Sequence, residues 1–370
     1  MLIGVPKEIK NNEYRVGLIP SSVRELIGNG HQVMVQRGAG AGIGFDDQAY
    51  SQVGATIVDT AADIFHKADM VVKVKEPQPE ECRMLREGQV LFTYLHLAPD
   101  PEQAKLLKQS GCIAIAYETV TNKSGGLPLL APMSEVAGRM AIQAGANSLE
   151  ITHGGSGILL GGVPGVAPAK VVVLGGGVVG TNSVRMAMGL GANVVVIDKS
   201  LERLFLLDLQ FGSKINTIYS TIDAVEEHVT NADLIIGAVL VPGGSAPKLV
   251  TKAMLKRMRP GSVMVDVSID QGGCFETSRP TTHQNPTYVV DGVVHYCVSN
   301  MPGAVPRTST FALNNATLPF ILALTNYGYK NAMHRDPHLL NGLNVYQGKL
   351  THKAVAHALQ EEYFAPEGLL

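Results

Sequence analysis

The 370-residue chain has no tryptophan, only 5% aromatic residues and four cysteines. With so few rings, its core must be built from Val, Ile, Leu and Ala. Cys82, Cys112, Cys274 and Cys297 lie far apart and form no Cys-x-x-Cys pair. That spacing argues against a zinc site, and no metal is expected. It suits reduced thiols in a cytoplasmic protein. No run of 18 apolar residues occurs, so no spanning helix and no membrane association are expected. The opening MLIGVPKEIK turns charged too early for a secretory signal. Neither sign of charge dominates, with 30 Lys and Arg against 32 Asp and Glu. A nucleic-acid partner is not expected, because such proteins carry a basic patch. An apolar content of 45% without long like-charge blocks excludes disorder.

Glycine, by contrast, is abundant, at 40 residues. No Gly-X-Y period is present, so collagen is excluded and tight turns are implied. The length suggests two domains. Apolar β-branched runs alternate with helical patterns almost throughout. The first set spans 2–5, 32–36, 56–58, 70–75, 90–95 and 112–116. The second spans 170–174, 193–197, 214–219, 234–238, 262–267 and 293–298. Near-continuous apolar strands separated by helices predict parallel sheets buried on both faces. The fold class is therefore α/β, with two doubly wound parallel-sheet domains joined by long helices. One long helix is predicted over 134–151, capped by Ser134 and Glu135. The other is predicted over 308–327, kinked or broken at Pro319. The chain is expected to leave a first domain (1–130) for a second (131–306) and to return over 307–370.

The run KVVVLGGGVVG at 170–180 contains G-x-G-x-x-G as Gly175, Gly177 and Gly180. The pattern is weak by itself in so glycine-rich a chain. Here an apolar strand precedes it, a helix follows, and the next strand ends in Asp198. Gly175 suits the tight turn, Gly177 a close backbone approach to pyrophosphate, and Gly180 close helix–strand packing. A carboxylate at Asp198 accepts ribose hydroxyls and repels a 2′-phosphate, which favours NAD over NADP despite nearby Arg203. The second domain thus reads as a Rossmann dinucleotide-binding domain. Ligands on such sheets sit at the carboxyl ends of strands. Ser220, Val239 with Leu240, Val267 to Asp270, and Val298 to Met301 lie at those ends; Ser220 reads equally well as a turn residue.

Polar residues occupy equivalent places in the first domain. Arg15 follows the first strand, Lys75 ends the fourth, and His96 follows the fifth. Two cations and an imidazole on one rim suit a small anionic substrate and proton exchange. The alternatives are plain: Lys73 and Lys75 snorkelling from a strand end, and Arg15 in a surface ion pair with Glu8 or Glu13. In the second domain, Asp270 lies beyond a strand end and suits chemistry. Asp266, within the strand, suits structure.

Several long stretches resemble the bacterial alanine dehydrogenase family: GVPKEIKNNEYRV (4–16), KVKEP (73–77), LFTYLHLAPD (91–100), LPLLAPMSEVAGR (127–139), IGAVLVPGGSAPKLV (236–250) and DVSIDQGGCFETSRPTTH (266–283). The resemblance covers essentially the whole chain. Its superfamily includes the nucleotide-binding subunit of transhydrogenase and the lysine-forming saccharopine dehydrogenases. It implies oxidation of L-alanine by NAD and water to pyruvate, ammonium and NADH, reversibly. It also implies that Arg15 and Lys75 hold the substrate carboxylate, that His96 is the acid/base for water addition, and that Asp270 handles the cationic nitrogen. Implied NAD contacts are Ser134, Val178, Val179, Asp198, Arg203, Ser220, Val239, Leu240, Val267, Ser268, Ile269, Asp270, Arg279, Val298, Ser299, Asn300 and Met301. A homohexamer is implied as well. The competing readings are a transhydrogenase subunit, disfavoured because no apolar segments follow, a dehydrogenase for a larger amino acid, and a silent dinucleotide binder.

Overall fold

The computed structural model describes residues 1–239 and 246–370. The chain divides into two compact units, one formed by Met1–Met133 with Val305–Leu370 and the other by Ser134–Ala304. In the first unit the strands are β1 (Leu2–Val5), β2 (Gln32–Gln36), β3 (Thr56–Val58), β4 (Met70–Val72), β5 (Val90–Thr93) and β6 (Ile113–Ala116). The second contributes β7 (Lys170–Leu174), β8 (Asn193–Asp198), β9 (Asn216–Tyr219), β10 (Leu234–Gly237), β11 (Val263–Asp266), β12 (Thr287–Val290) and β13 (Val293–Tyr296). The chain then returns to the first sheet as β14 (Leu343–Tyr346) and β15 (Lys349–Leu350).

Six parallel strands run in the same order in both sheets. The first reads β3-β2-β1-β4-β5-β6 and the second β9-β8-β7-β10-β11-β13. In each, the order reverses between the first strand and the fourth, the place where open α/β sheets bind ligands. The inner strands are buried runs rich in Val, Ile, Leu, Met and Ala, whereas the edge strands β3, β9 and β12 are only partly buried. Val71, Leu91, Ala114, Ile64 and Phe65 belong to one core cluster in the first unit. Val172, Val195, Ile235, Met264 and Phe275 do so in the second. Each fully buried side chain of this kind contributes about 1.5–3 kcal/mol.

The sheets are not wholly parallel. β14 and β15 add antiparallel strands beside β6, and β12 pairs antiparallel with β13. Both hairpins turn on two residues of positive φ, Asp291 (49°) with Gly292 (79°) and Gln347 (47°) with Gly348 (83°). That geometry matches the twist of the flanking strands. Predicted strands also shorten at their carboxyl ends: the fourth stops at Val72 rather than 75, the last parallel strand at Tyr296 rather than 298.

Both long helices differ from expectation. The first spans Ala131–Ser148, so Ser134 lies in its first turn and is not its cap. Pro132 is tolerated there because first-turn N–H groups lack intrahelical partners. The second spans Pro306–Arg335 and continues through Pro319. Its break falls at Gly328, where φ 72° and ψ 152° leave helical space, a conformation open mainly to glycine. This helix anchors the segment after Arg15. Asn314 accepts the Ile19 N–H at 2.9 Å and donates to the Gly17 carbonyl at 3.2 Å.

Candidate active site

In the first unit the strand ends carry paired charges. The Arg15 guanidinium is buried and doubly held by Glu13, with Nε–Oε1 at 2.7 Å and Nη2–Oε2 at 2.6 Å. It also approaches Met133 Sδ at 3.1 Å. This ion pair is buried, not superficial. Burial alone would raise the Glu13 carboxyl, but Arg15 overrides it and holds the carboxyl below its ordinary range.

Lys73 does not snorkel. It is completely buried, 3.0 Å from Glu8 Oε2 and 2.8 Å from Glu81 Oε1. The other oxygen of Glu8 accepts the N–H of Val74 at 2.7 Å and of Lys75 at 3.3 Å. The Lys75 carbonyl in turn accepts from Thr93 Oγ1 at 2.8 Å. A buried ion triad thus fixes the backbone from which Lys75 projects.

Glu76, to which the sequence reading gave no role, links the rest. Its Oε2 lies 3.9 Å from Lys75 Nζ and 3.7 Å from His96 Nδ1, and Oε1 pairs with Lys10. At 3.7 Å the His96 contact is an ion-pair distance rather than a hydrogen bond. Burial would raise the Glu76 carboxyl, but His96, Lys75 and Lys10 together pull it far below the ordinary range. Lys75 moves the other way to a free lysine: burial lowers it most, Glu76 opposes this, and the Arg15 charge lowers it further. Arg15, Lys75 and His96 therefore share one electrostatic neighbourhood.

His96 has a left-handed backbone, φ 49°, which a non-glycine residue adopts only under constraint. The constraint is Glu118, whose Oε1 accepts the His96 N–H at 2.6 Å and whose carboxylate also takes the Leu95 N–H. The imidazole is half-exposed, beside the Tyr94 ring. Glu118 and Glu13 were also missed as site residues. Their roles depend on backbone contacts across 2 to 23 positions of sequence, a separation that carries no periodic signal.

The second unit builds its strand ends from backbone. Gly175 has φ 99°. A Cβ at Gly180 would stand 1.8 Å from the Gly175 carbonyl oxygen, whereas one at Gly177 would meet nothing within 4 Å. Gly177 caps the helix Val178–Gly189, whose first N–H groups and dipole suit an anion. Asp198 accepts the Gly176 N–H at 2.6 Å and the Ser200 N–H at 2.8 Å. Arg203 bonds the Gly176 carbonyl and Thr181 Oγ1, so its cation lies on the glycine turn. A dinucleotide fits this donor set: open space at Gly177, a helix N-terminus and an acid at the second strand end.

The other strand ends follow in order. Ser220 comes just past β9 and donates its N–H to the Asp198 carbonyl at 2.9 Å. The Val239 carbonyl accepts Ser268 Oγ at 2.7 Å. Val267, Ser268, Ile269 and exposed Asp270 form a 3-10 turn, Val267–Gln271. Arg279 stacks over Tyr288 at 4.3 Å. Val298 and Met301 are buried, and Asn300 has φ 60°. Leu240 lies outside the described residues. Among the described residues, no three His, Cys, Asp or Glu side chains converge as a metal site, and no helix is long and apolar enough to cross a membrane.

Fold and strand ends define the class: a two-unit α/β oxidoreductase with a dinucleotide-binding Rossmann-type unit. The family profile described as "Alanine dehydrogenase/PNT, N-terminal domain" matches residues 4–137, and its C-terminal counterpart matches 141–353. The chain is 61% identical to the alanine dehydrogenase of Halomonas elongata over the full length of both. A solved L-alanine dehydrogenase superposes with a TM-score of 0.94 at 55% identity, covering 97% of this chain and 99% of that one. A transhydrogenase from Sinorhizobium meliloti, 24% identical, shares the fold with a TM-score of 0.84 over 95% of this chain and all of that one. The chain belongs to the alanine dehydrogenase/PNT family.

Proposed function

We propose that the chain catalyses the reversible oxidative deamination of L-alanine to pyruvate and ammonium, with NAD as its dinucleotide. The observation that carries this reading is the grouping of Lys75 and His96 on Glu76, with the Glu13-held Arg15 close enough for its charge to be felt at Lys75, in a chain akin to alanine dehydrogenases along its whole length.

Arg15 and Lys75 take the substrate carboxylate. Glu13 fixes the plane of the Arg15 guanidinium, and Glu8 fixes the backbone of Lys75. When bound, NAD would supply the hydride acceptor; hydride loss from the Cα of alanine in its deprotonated-amine form leaves a cationic iminium. His96 takes a proton from the water that adds to the imine carbon, and Asp270 places negative charge near the substrate nitrogen. His96 then returns its proton to the nitrogen and the adduct's hydroxyl gives up a proton, so the C–N bond breaks to give pyruvate and ammonia, which takes up a proton as ammonium. Asp198 selects NAD over NADP by accepting ribose hydroxyls where a 2′-phosphate would be repelled. The NAD-facing set comprises the fingerprint glycines with Val178 and Val179, Ser134, Arg203, Ser220, Val239, Leu240, Val267 to Asp270, Arg279 and Val298 to Met301. Residues 1–130 with 307–370 form the substrate domain, and 131–306 the NAD domain. A cytoplasmic homohexamer is the assembly in which we place it; the four free, buried cysteines suit a reducing compartment.

Purified protein with NAD and L-alanine should produce NADH, followed by absorbance, at a rate that rises into the alkaline range as the substrate amine loses its proton. Signal only with another amino acid would reassign the substrate. Silence with every amino acid would leave a dinucleotide-binding protein.

A further inference from the structure

Asp266 ends β11 and is fully buried, four residues before exposed Asp270. Its carboxylate closes a loop on itself. Oδ1 accepts the Ser268 N–H at 3.0 Å, on the way into the turn. Oδ2 accepts the Cys274 N–H at 2.9 Å and the Ser278 hydroxyl at 2.5 Å, on the way out. Asp270 stands between these anchors, two residues after Ser268 and four before Cys274. Two glycines of positive φ, Gly272 (86°) and Gly273 (76°), bring the chain back. A Cβ at Gly273 would stand 2.6 Å from Asp266 Oδ2, so the backbone is drawn tight against the carboxylate. Ser268 Oγ ties the same turn to the Val239 carbonyl at 2.7 Å.

A buried carboxylate that accepts donors from both limbs of a loop limits how far the apex moves. Asp266 accepts both the Ser268 and the Cys274 N–H groups, and a buried N–H that loses its acceptor is costly. An asparagine at 266 presents an NH2 where one limb needs an acceptor. We infer that Asp266 is a positioning residue: the loop closed on its carboxylate sets where Asp270 stands. This rests on the reading that Asp270 serves the substrate nitrogen.

The test is a double-mutant cycle on the full-length protein, D266N against D270N, with kcat, KM for alanine and NAD, apo melting temperature and NADH binding measured for each. D266N should lower kcat ten- to a hundredfold, the scale of a misplaced reacting group, while KM for alanine changes less than about threefold. Added to D270N, it should cost less than about twofold more, because the residue it acts through is already gone. Ser278→Ala removes one donor and keeps the carboxylate. It should lower kcat by roughly threefold with little change in melting temperature, and it carries the test if D266N does not fold. Losses that multiply, or a Ser278→Ala variant with unchanged kcat, would overturn the inference alone. D270N at the rate of the parent chain would overturn the role of Asp270 and the inference with it.

Discussion

The two units share a strand order but equip the same strand ends by different means. The first places long charged side chains there, and each needs a counter-charge: Glu13 for Arg15, Glu8 and Glu81 for Lys73, Glu76 for Lys75 and His96. The second places bare backbone there. Its anion site is a helix start and a glycine turn, and its acids Asp198 and Asp266 mainly accept N–H groups. The contrast fits the ligands proposed. A small carboxylate has little surface, so its binding relies on strong point charges. A dinucleotide is long and is held by many weak contacts, which require room more than charge.

Substituting side chains should therefore harm the first unit's chemistry, and filling space should harm the second unit's binding. The largest effect should come from His96→Ala, with turnover down by about a thousandfold or more and NADH binding, read by fluorescence, intact. Retained activity would remove His96 from the chemistry. Lys73→Met should follow, because it leaves two buried carboxylates unpaired. Urea melts should show the chain destabilised by about 3–5 kcal/mol. Within the second unit, two glycines three residues apart should separate cleanly. Gly180→Ala collides with backbone and should destabilise the unliganded protein by about 3 kcal/mol. Gly177→Ala should leave its melting temperature alone and weaken NADH binding roughly tenfold, from ~1–3 kcal/mol of crowding felt only with ligand present. Equal effects on both measurements would erase the distinction. The smallest effect concerns pH. Lys75 is lowered by burial, so it loses its proton below the ~10.4 of a free lysine. KM for alanine should climb on the alkaline side before that value, and Lys75→Arg should move the climb upward.

Sequence made the parallel core and the second unit's site legible for a common reason. Both rest on local signals: β-branched runs and a glycine spacing with a strand before and an acid after. The antiparallel edges were missed although Asp291-Gly292, between TYVV and VVHY, is the strongest short hairpin signal a sequence offers. The Pro319 kink failed because helix geometry tolerates one missing N–H when the surrounding turns are packed. Ile321, Leu324 and Thr325, just after it, are buried. Glu76 and Glu118 were hidden for a deeper reason. A counter-ion is defined by what stands beside it in space, and one glutamate among the 32 acids carries no mark of that.

The buried Lys73 triad also gives the first unit a particular response to heat. The free-energy cost of keeping three charges away from water falls as temperature rises, because ion hydration weakens on warming. The apolar contacts of the same core gain nothing comparable. Near the upper end of the protein's working range, the backbone beneath Lys75 is therefore held increasingly by electrostatics, and the proposed substrate clamp should be among the last features of this unit to loosen.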